Sequence, residues 1–131
     1  MSDSIVVKLE AGLVSMIEDA ETAAGTRIYP DMLPQKITYP AITYSDISDM
    51  GHQDIGVDYP RYNVTVWSKR RLATKNLAEE ILTLLHRYKG VLNGVRVKSI
   101  SKMDSPGTLY DRETGVYYIP QDFKIVYERV T

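Results

Sequence analysis

The side chains that could support chemistry are two histidines and a group of aspartates, and they are sparsely placed. His52 lies in a turn-rich segment with Asp49, Asp54 and Asp58 nearby, whereas His86 lies within a predicted helix. His52 and these carboxylates could together hold a metal ion, but their spacing matches no common ligand framework. His86 is interpreted as a surface or interface residue. We therefore predict no metal site.

The sequence contains no recognisable motif for covalent or cofactor chemistry. The chain of 131 residues has no cysteine, which excludes disulfides, thiolate ligands and thiol nucleophiles. It has neither a Gly-x-Ser-x-Gly elbow nor a glycine-rich phosphate loop. Glu79 and Glu80 are adjacent on a predicted helix and so point in different directions. No catalytic constellation is evident from these residues, and catalysis by a serine with a base positioned by the fold is neither shown nor excluded by the sequence.

Two charged segments each allow two interpretations. The basic run at 69–71 opens a predicted helix, where cations oppose the helix dipole. It is either a solvated turn or a contact for an acidic partner. The segment 46–58 carries four aspartates, which are either turn-forming residues or part of a charged contact loop. Charge alone leaves both alternatives open.

Composition is that of an ordinary globular domain, and we predict a single domain over residues 1–131. Apolar residues make up 44% of the chain and charged residues 25%. The net charge of −1 gives no basic field for nucleic acid or an anionic membrane. No apolar run approaches the roughly 20 residues that span a bilayer, and Met1–Ser4 lacks a positive region typical of a signal peptide. We expect no membrane partner.

Hydrophobic periodicity predicts two helices and a set of strands. Apolar residues recur at steps of three and four over Ile5–Ala23 and over Leu72–Lys89. Strict alternation makes Tyr59–Ser68 the clearest strand. Further extended segments are predicted at Thr26–Tyr29, Ala41–Ile47, Val95–Lys102 and Val116–Arg129.

These elements predict an α+β two-layer sandwich, with two helices packed on one face of a mostly antiparallel four- to five-stranded sheet. A bulge is expected in the strand that begins at Val95, because Val97 and Ile100 fall on opposite faces. The two strands joined by the second helix should run parallel. The long loops Ser48–Asp58 and Met103–Gly115 should then leave opposite ends of the domain.

The sheet face turned away from the helices mixes aromatic and polar side chains. Such a face suits either water or a partly apolar contact. The ten tyrosines of the chain allow the same choice, since tyrosine is both a good strand residue and a common interface residue. The residues assigned to this face are Arg61, Asn63, Thr65, Trp67, Tyr118, Asp122, Lys124 and Val126.

A series of short motifs runs along the chain in a fixed order. They are Ala23-Ala24-Gly25-Thr26-Arg27-Ile28-Tyr29-Pro30, Leu33-Pro34-Gln35, Tyr39-Pro40-Ala41-Ile42-Thr43-Tyr44, Tyr62-Asn63-Val64-Thr65-Val66-Trp67 and the closing strand Tyr117 to Glu128. As an ordered set they resemble the pattern of the tail completion proteins of tailed bacteriophages. The resemblance covers nearly the whole chain, although the middle loop and residues 103–115 do not contribute to it.

The resemblance implies a structural virion protein with an α/β sandwich fold, no catalysis and no cofactor. Such proteins form rings, typically of six copies, at the head-proximal end of a long non-contractile tail. They stop growth of the tail tube and meet the head-side connector, or stopper, protein. The implied partners are therefore other copies of the chain, the tail tube protein and the connector. DNA passes through without sequence-specific binding, and the implied location is the virion after assembly in the host cytoplasm.

The ring-forming role implied by the resemblance guides the choice of candidate residues for contact with other subunits and partners. Trp67, Tyr62 and Tyr118 are the candidates for contact between subunits. Asp49, Asp54 and Asp58 are assigned to a loop that faces a pore or a partner, where acidic groups would repel passing DNA or hold a divalent cation between subunits. Tyr110 and Arg112 in the second long loop are the candidates for the other partner.

Two alternatives to this function remain from the sequence. The first is another neck or head–tail connector subunit, which would differ in the partner it binds. The second is a small bacterial α+β ligand-binding domain or enzyme, which predicts a concave pocket with converging polar groups and a stable monomer.

Overall fold

Two helices and eight strands make up the part of the chain that the structure describes. The structure is a computed structural model, and it describes residues 5–49, 57–58, 60–103 and 105–128. The helices are α1 (Ile5–Asp19) and α2 (Arg71–Leu85). The strands are β1 (Ile28–Pro30), β2 (Ala41–Asp49), β3 (Val57–Asp58), β4 (Pro60–Ser68), β5 (Gly90–Leu92), β6 (Val95–Lys102), β7 (Leu109–Asp111) and β8 (Val116–Glu128).

All the strands belong to one sheet, and β8 is its central member. The order across the sheet is β1-β2-β4-β8-β6-β5, with β3 and β7 also paired to β8. Only the β1–β2 pair is parallel among these strands. Because β4 and β6 both pair antiparallel with β8, they run in the same direction, on either side of it.

The predicted two-layer sandwich on a four- to five-stranded, mostly antiparallel sheet is wrong. The structure has a curled mixed sheet that forms a half-barrel, and sheet outweighs helix. Short strands form where the sequence predicted loop or turn, as at β3, β5 and β7. Register shifts between Asp46 and Ser48 and between Val97 and Ser99 add local bends. Bulges increase strand twist, which favours curling over a flat layer.

The expected irregularity in β6 is confirmed, whereas the helix ends were predicted too far along the chain. The register of β6 against β8 shifts between Val97 and Ser99. The first helix was expected to reach Ala23 but ends at Asp19. The second was expected to reach Lys89 but ends at Leu85, because the backbone at His86 is already extended.

β5 is formed by a tight hairpin that the sequence analysis did not identify. Asn93 and Gly94 both have positive φ, at 49° and 82°. Two adjacent residues of this kind make the type I′ turn that joins two antiparallel strands, and Asn-Gly is its preferred sequence. Val95 therefore begins the second strand of a hairpin, and Gly90–Leu92 becomes an edge strand of the sheet.

The segment before β1 is held to the start of β2 by one arginine. Arg27 donates from Nε to the carbonyl oxygen of Pro40 at 2.9 Å and from its terminal nitrogen to the carbonyl oxygen of Ala23 at 3.0 Å. Gly25 has a φ of 59°, which suits glycine at the turn before the strand. These contacts give a structural reason for the Gly-Thr-Arg-Ile-Tyr motif: it docks β1 beside β2.

Pro120 lies inside the central strand, where proline would normally break the ladder. Its carbonyl oxygen accepts a hydrogen bond from Ser105 Oγ at 2.5 Å. In a strand, the nitrogen and carbonyl of one residue point to the same edge, so the nitrogen of Pro120 also faces away from β4. On that edge, pairing with β7 ends at Tyr118 and pairing with β6 starts at Phe123. The proline therefore occupies a gap between two strand neighbours.

Both helices contribute to a single apolar core with one face of the sheet. α1 contacts β5 and β6, while α2 contacts β4, β6 and β8. Alternate residues of the strands point toward the helices, as period-two patterns require. The largest buried side chains of this core are Tyr62, Tyr127, Phe123, Leu9, Ile17, Ile42, Leu77, Ile81, Leu85, Ile100, Ile125 and Val66.

The buried core predicts a large loss of stability when an apolar side chain of α2 is shortened. Ile81 is 0% exposed, so Ile81→Ala leaves a cavity and should lower the free energy of unfolding by about 3 kcal/mol. Urea denaturation measures the change. Glu80→Ala, at the exposed neighbouring position, is the matched control and should change stability by less than about 0.5 kcal/mol. Equal effects of the two substitutions would contradict this account of the core.

Candidate functional site

The face of the sheet away from the helices, called the second face below, collects side chains from three strands. Trp67 of β4 lies opposite Tyr118 of β8, and Asn63 lies opposite Asp122. Thr43 of β2 lies opposite Thr65. Directly opposed residues of paired strands place their side chains on the same face. The structure thus brings together the polar and aromatic residues that the alternation had assigned to one side.

An aromatic pair at one end of the second face is held rigidly. The rings of Trp67 and Tyr118 stack with centroids 4.8 Å apart and planes 20° from parallel. The indole Nε1 of Trp67 donates to Thr43 Oγ1 at 2.9 Å. The indole is only partly buried, and its one donor is already satisfied. A partner that covers this pair would gain apolar contact without having to order the ring.

A polar network continues from this pair along the same face. Asn63 donates from Nδ2 to Asp122 at 2.8 Å, and the Arg61 guanidinium lies 3.5 Å from the same carboxylate. Thr65 Oγ1 donates to Asn63 Oδ1. These contacts link β4 to β8 across the face and fix their register. Because Asn63 and Arg61 both contact the Asp122 carboxylate, this carboxylate has a structural role and is not a free acid or base.

Tyr62, a candidate for contact between subunits, lies on the other face of the sheet from Trp67 and Tyr118. Its side chain is 1% exposed and lies in the core on the helix side of the sheet. Its position, five residues before Trp67 in a strand, already puts it on the opposite face by alternation. The candidate subunit contacts that remain at the surface are Trp67 and Tyr118.

Tyr110 and Arg112 belong to a hairpin rather than to an irregular loop. Tyr110 lies on β7, is 51% exposed, and packs on Tyr117 with ring centroids 4.6 Å apart. Arg112 is exposed in the turn that joins β7 to β8. In that turn, the Asp111 side chain accepts a hydrogen bond from the Glu113 N–H at 3.0 Å. The hairpin therefore presents Tyr110 and Arg112 on an ordered support.

The three candidate aspartates fall at the other end of β4. Asp49 ends β2 opposite Pro60, and Asp58 lies on β3 opposite Tyr127. Asp54 lies outside the described residues, as does the rest of segment 50–56. Two of the three aspartates are thus on strands, where the sequence had predicted a turn-rich connection.

The two groups of candidate residues lie at opposite ends of the domain. Asp49 is beside the start of β4, whereas Ser68 at the end of β4 pairs with Tyr117 next to the β7–β8 turn. The expected placement of the two long connections at opposite ends therefore agrees with the strand directions. One end carries Asp49 and Asp58, and the other carries the aromatic pair and the hairpin.

A third feature is an acidic strip around Tyr44, formed by Glu10 of α1, Asp31 after β1 and Asp46 of β2. The Asp31 N–H bonds to the Tyr44 carbonyl oxygen at 2.7 Å, Asp46 lies two residues beyond Tyr44 on β2, and Glu10 and Tyr44 line the same small cavity. Burial raises the pKa of Glu10, and the charges of Asp46 and Asp31 raise it further. Burial and the charges of Glu10 and Asp31 likewise raise the pKa of the neighbouring Tyr44. The strip is electrostatically strained because its carboxylates repel one another. No sequence pattern marked it, since its members come from three separate elements.

An open groove lies between α1, α2 and β5. It has a volume of about 720 Å³ and is lined mainly by small and apolar residues, with Asp19 and Tyr88 at its walls. This lining differs from the converging polar groups that the ligand-binding alternative predicts. Within the described ranges, no cluster of three or more histidine, aspartate and glutamate side chains is suited to hold a metal ion. No helix in those ranges is long and apolar enough to span a membrane.

Comparison with known families identifies the chain. A family model described as tail completion protein gp17 matches residues 15–128, which is most of the sequence. The chain belongs to this tail completion family. It therefore has a structural role in the phage tail and is a component of the virion. The resemblance drawn from the ordered motifs is confirmed.

A solved structure supports the fold assignment for this family member. A chain from a structure titled "Virion of native gene transfer agent (GTA) particle" is similar with a TM-score of 0.74 and 14% sequence identity. The match covers 98% of this chain and 100% of the other. At this identity the likeness shows the fold alone. No curated protein sequence matches the chain.

The acidic strip predicts a specific dependence of stability on pH. Because the folded state raises the pKa of Glu10, folding favours its protonated form. The associated stability is present below the ordinary pKa near 4.5 and is lost as pH rises through the folded value. Glu10→Gln should therefore increase the free energy of unfolding at pH 7, with no such gain at pH 3.5.

Urea denaturation at both pH values measures this effect. Glu80→Gln, which removes the same formal charge from the exposed side of α2, is the control and should not show the gain. Asp46→Asn should give part of the benefit of Glu10→Gln at pH 7, because it removes one of the repelling charges. A loss of stability in Glu10→Gln at pH 7 would contradict the role given to this carboxylate.

Proposed function

We propose that the chain forms a ring that caps the head-proximal end of the tail tube and joins the tail to the head-side connector. The ring has six copies in this proposal, matching the symmetry implied by the resemblance to tail completion proteins. The chain acts as a structural subunit without a catalytic step. DNA passes through the ring without sequence-specific contacts.

The observation that carries this proposal is the presence of different contact residues at opposite ends of one small domain. Asp49 and Asp58 lie beside the start of β4, and the β7–β8 hairpin with Tyr110 and Arg112 lies at its other end. A joining subunit must meet two partners at once, and this layout gives each partner its own end. In our proposal Asp49, Asp54 and Asp58 face the pore or one partner, and Tyr110 and Arg112 face the other.

The aromatic pair is the proposed anchor between copies. Trp67 and Tyr118 are stacked and held in place, and central aromatic side chains carry much of the binding energy in protein interfaces. A ring of identical subunits closes through head-to-tail contacts, in which one patch on each copy meets a different patch on the next. The aromatic pair provides one such patch.

The comparison with known structures supports placement within a particle. The similar chain comes from a gene transfer agent virion particle. The net charge of −1 agrees with a subunit that lets DNA pass rather than holding it.

The mass of the protein in solution, measured by light scattering over a range of concentrations with and without magnesium, tests the ring. A discrete species near six subunits supports the proposal. If the protein stays monomeric, purified tail tubes lacking the cap should nucleate the ring at one end, which electron microscopy can detect. A monomer that also fails to bind tube ends would refute the proposal.

Trp67→Ala should weaken ring formation without unfolding the protein. If Trp67 is a central anchor, the loss is about 2 kcal/mol per contact, or roughly 30-fold in the association constant. Light scattering across a dilution series measures the loss, and circular dichroism checks that the fold is kept.

Trp67→Phe is the matched variant for this experiment. It keeps an aromatic ring to stack on Tyr118 but lacks the N–H that bonds Thr43, so its effect on assembly should be smaller. Normal assembly of Trp67→Ala would remove Trp67 from the interface.

A further inference from the structure

We propose that neighbouring copies in the ring meet, in addition to the contact at the aromatic pair, through opposite edges of the sheet, with a basic strip of one copy against the acidic strip of the next. The basic strip consists of Lys89, which directly precedes β5, Val91 on β5, and Arg96 and Lys98 on β6. The acidic strip is Glu10, Asp31 and Asp46. This inference rests on the proposed ring and names the two different surfaces that would make each contact between copies head-to-tail.

The two edges of the sheet are not equivalent, and the edge at β1 is closed to a further strand. The Ile28 N–H bonds to the carbonyl of Thr26 at 2.8 Å, and the carbonyl of Pro30 accepts the Met32 N–H at 2.7 Å. Pro30 itself has no N–H to offer. The backbone groups that point away from β2 are thus largely used, so side chains rather than backbone must make any contact at this edge.

The edge at β5 is open in the described part of the chain. Leu92 and Val95 flank the two-residue turn, so they form the hydrogen-bonded pair of the hairpin. The N–H and C=O of Val91, one residue earlier, then point away from β6. Its side chain is 62% exposed. An exposed apolar residue on an unpaired edge strand is a site where another chain can pack.

Positive charge surrounds this open edge. Lys89, Val91, Arg96 and Lys98 line an open groove of about 550 Å³ together with Glu128. Arg96 Nε lies 3.9 Å from the Glu128 carboxylate, with both side chains largely exposed to solvent. One acid therefore faces three cations, and the groove keeps a net positive charge.

The acidic strip is the complementary surface. None of Glu10, Asp31 and Asp46 forms an ion pair among the described side chains. The Asp31 N–H bonds to the Tyr44 carbonyl oxygen at 2.7 Å, and Glu10 and Tyr44 line the same small cavity, so the strip surrounds one tyrosine of β2. Burial, followed by the charges of Asp46 and Asp31, raises the pKa of Glu10. Cations supplied by a neighbour would relieve the repulsion between these carboxylates. The strip lies by β1 and β2 at one side of the sheet, whereas the basic strip lies by β5 at the other.

A second copy of the chain is the occupant that fits both strips. Two different, oppositely charged patches at opposite edges are what a head-to-tail ring requires. A symmetric dimer through either strip would bring like charges together. A nucleic acid would use the basic strip and leave the acidic strip unsatisfied. Tyr118 lies about 33 Å from Glu128 along β8, at roughly 3.3 Å per residue, so the strips can be tested separately from the aromatic pair.

Cysteine cross-linking of assembled rings provides the direct test, because the chain has no cysteine of its own. The double variant Val91→Cys with Asp46→Cys should give, after oxidation, a ladder of covalent species up to the full ring on denaturing gels. Each single variant should give no ladder, and a mixture of the two single variants should stop at dimers. Val91→Cys with Lys75→Cys, which uses an exposed position on α2, is the control and should remain uncross-linked.

Charge reversal tests the electrostatic part of the contact. Asp46→Lys and Lys98→Glu should each weaken ring formation tenfold or more at low salt, and the double variant should recover most of that loss. Glu80→Lys, at an exposed helical position, is the control for net charge and should have little effect. Added salt should weaken the wild-type ring and reduce the difference between the variants.

The outcomes separate this inference from the proposed function. If the wild type forms no ring alone or on tail tubes, the proposed function fails. If the ring forms but the reversals have no effect and the cysteine pair gives no ladder, only the edge contact is wrong. Dimers formed by Val91→Cys alone would indicate a symmetric contact at β5 and would also overturn it.

Discussion

The pairing of β8 with strands on both of its edges is the interaction on which the rest of the fold depends. Its thirteen residues pair with β4 and β3 on one side and with β7 and β6 on the other. Because side chains alternate along it, the same strand supplies Phe123 and Ile125 to the core and Tyr118 and Asp122 to the second face. A shift of one residue in its register would exchange core and surface. The cross-strand contacts of Asp122 help to prevent that shift.

The second face and the acidic strip differ in whether their polar and charged side chains have hydrogen-bond or ion-pair partners. On the second face, Trp67 is held by Thr43 and Tyr118, and Asp122 is held by Asn63 and Arg61. Such a network stabilises one geometry and offers a rigid surface. The acidic strip has the opposite character, since its carboxylates repel one another and none of them forms an ion pair with a described side chain. A subunit whose surface is incomplete by itself is consistent with a role in an assembly.

Local patterns predicted the main elements well but not the whole sheet. The helices, the long strands and the irregularity in β6 follow from periodicity, because each element buries one face of its own residues. The edge strand β5 had a signal, the Asn93-Gly94 turn, that the analysis did not use. β7 and the parallel pairing of β1 had little signal, because a three-residue strand is too short to show a period. Tyr62 was chosen as a candidate subunit contact although alternation along β4 placed it on the other face of the sheet from Trp67, where it is buried.

The sequence by itself determined the family, through the order of its motifs, and the face on which most strand residues lie. Only the tertiary structure decided which strands are neighbours, how the sheet curls into a half-barrel, and which charges meet. The acidic strip brings together residues 10, 31 and 46, and the basic strip brings residues between 89 and 98 next to Glu128. Such clusters depend on contacts between distant parts of the chain. No local propensity encodes them, because they exist only after the strands have paired and the helices have packed on the sheet.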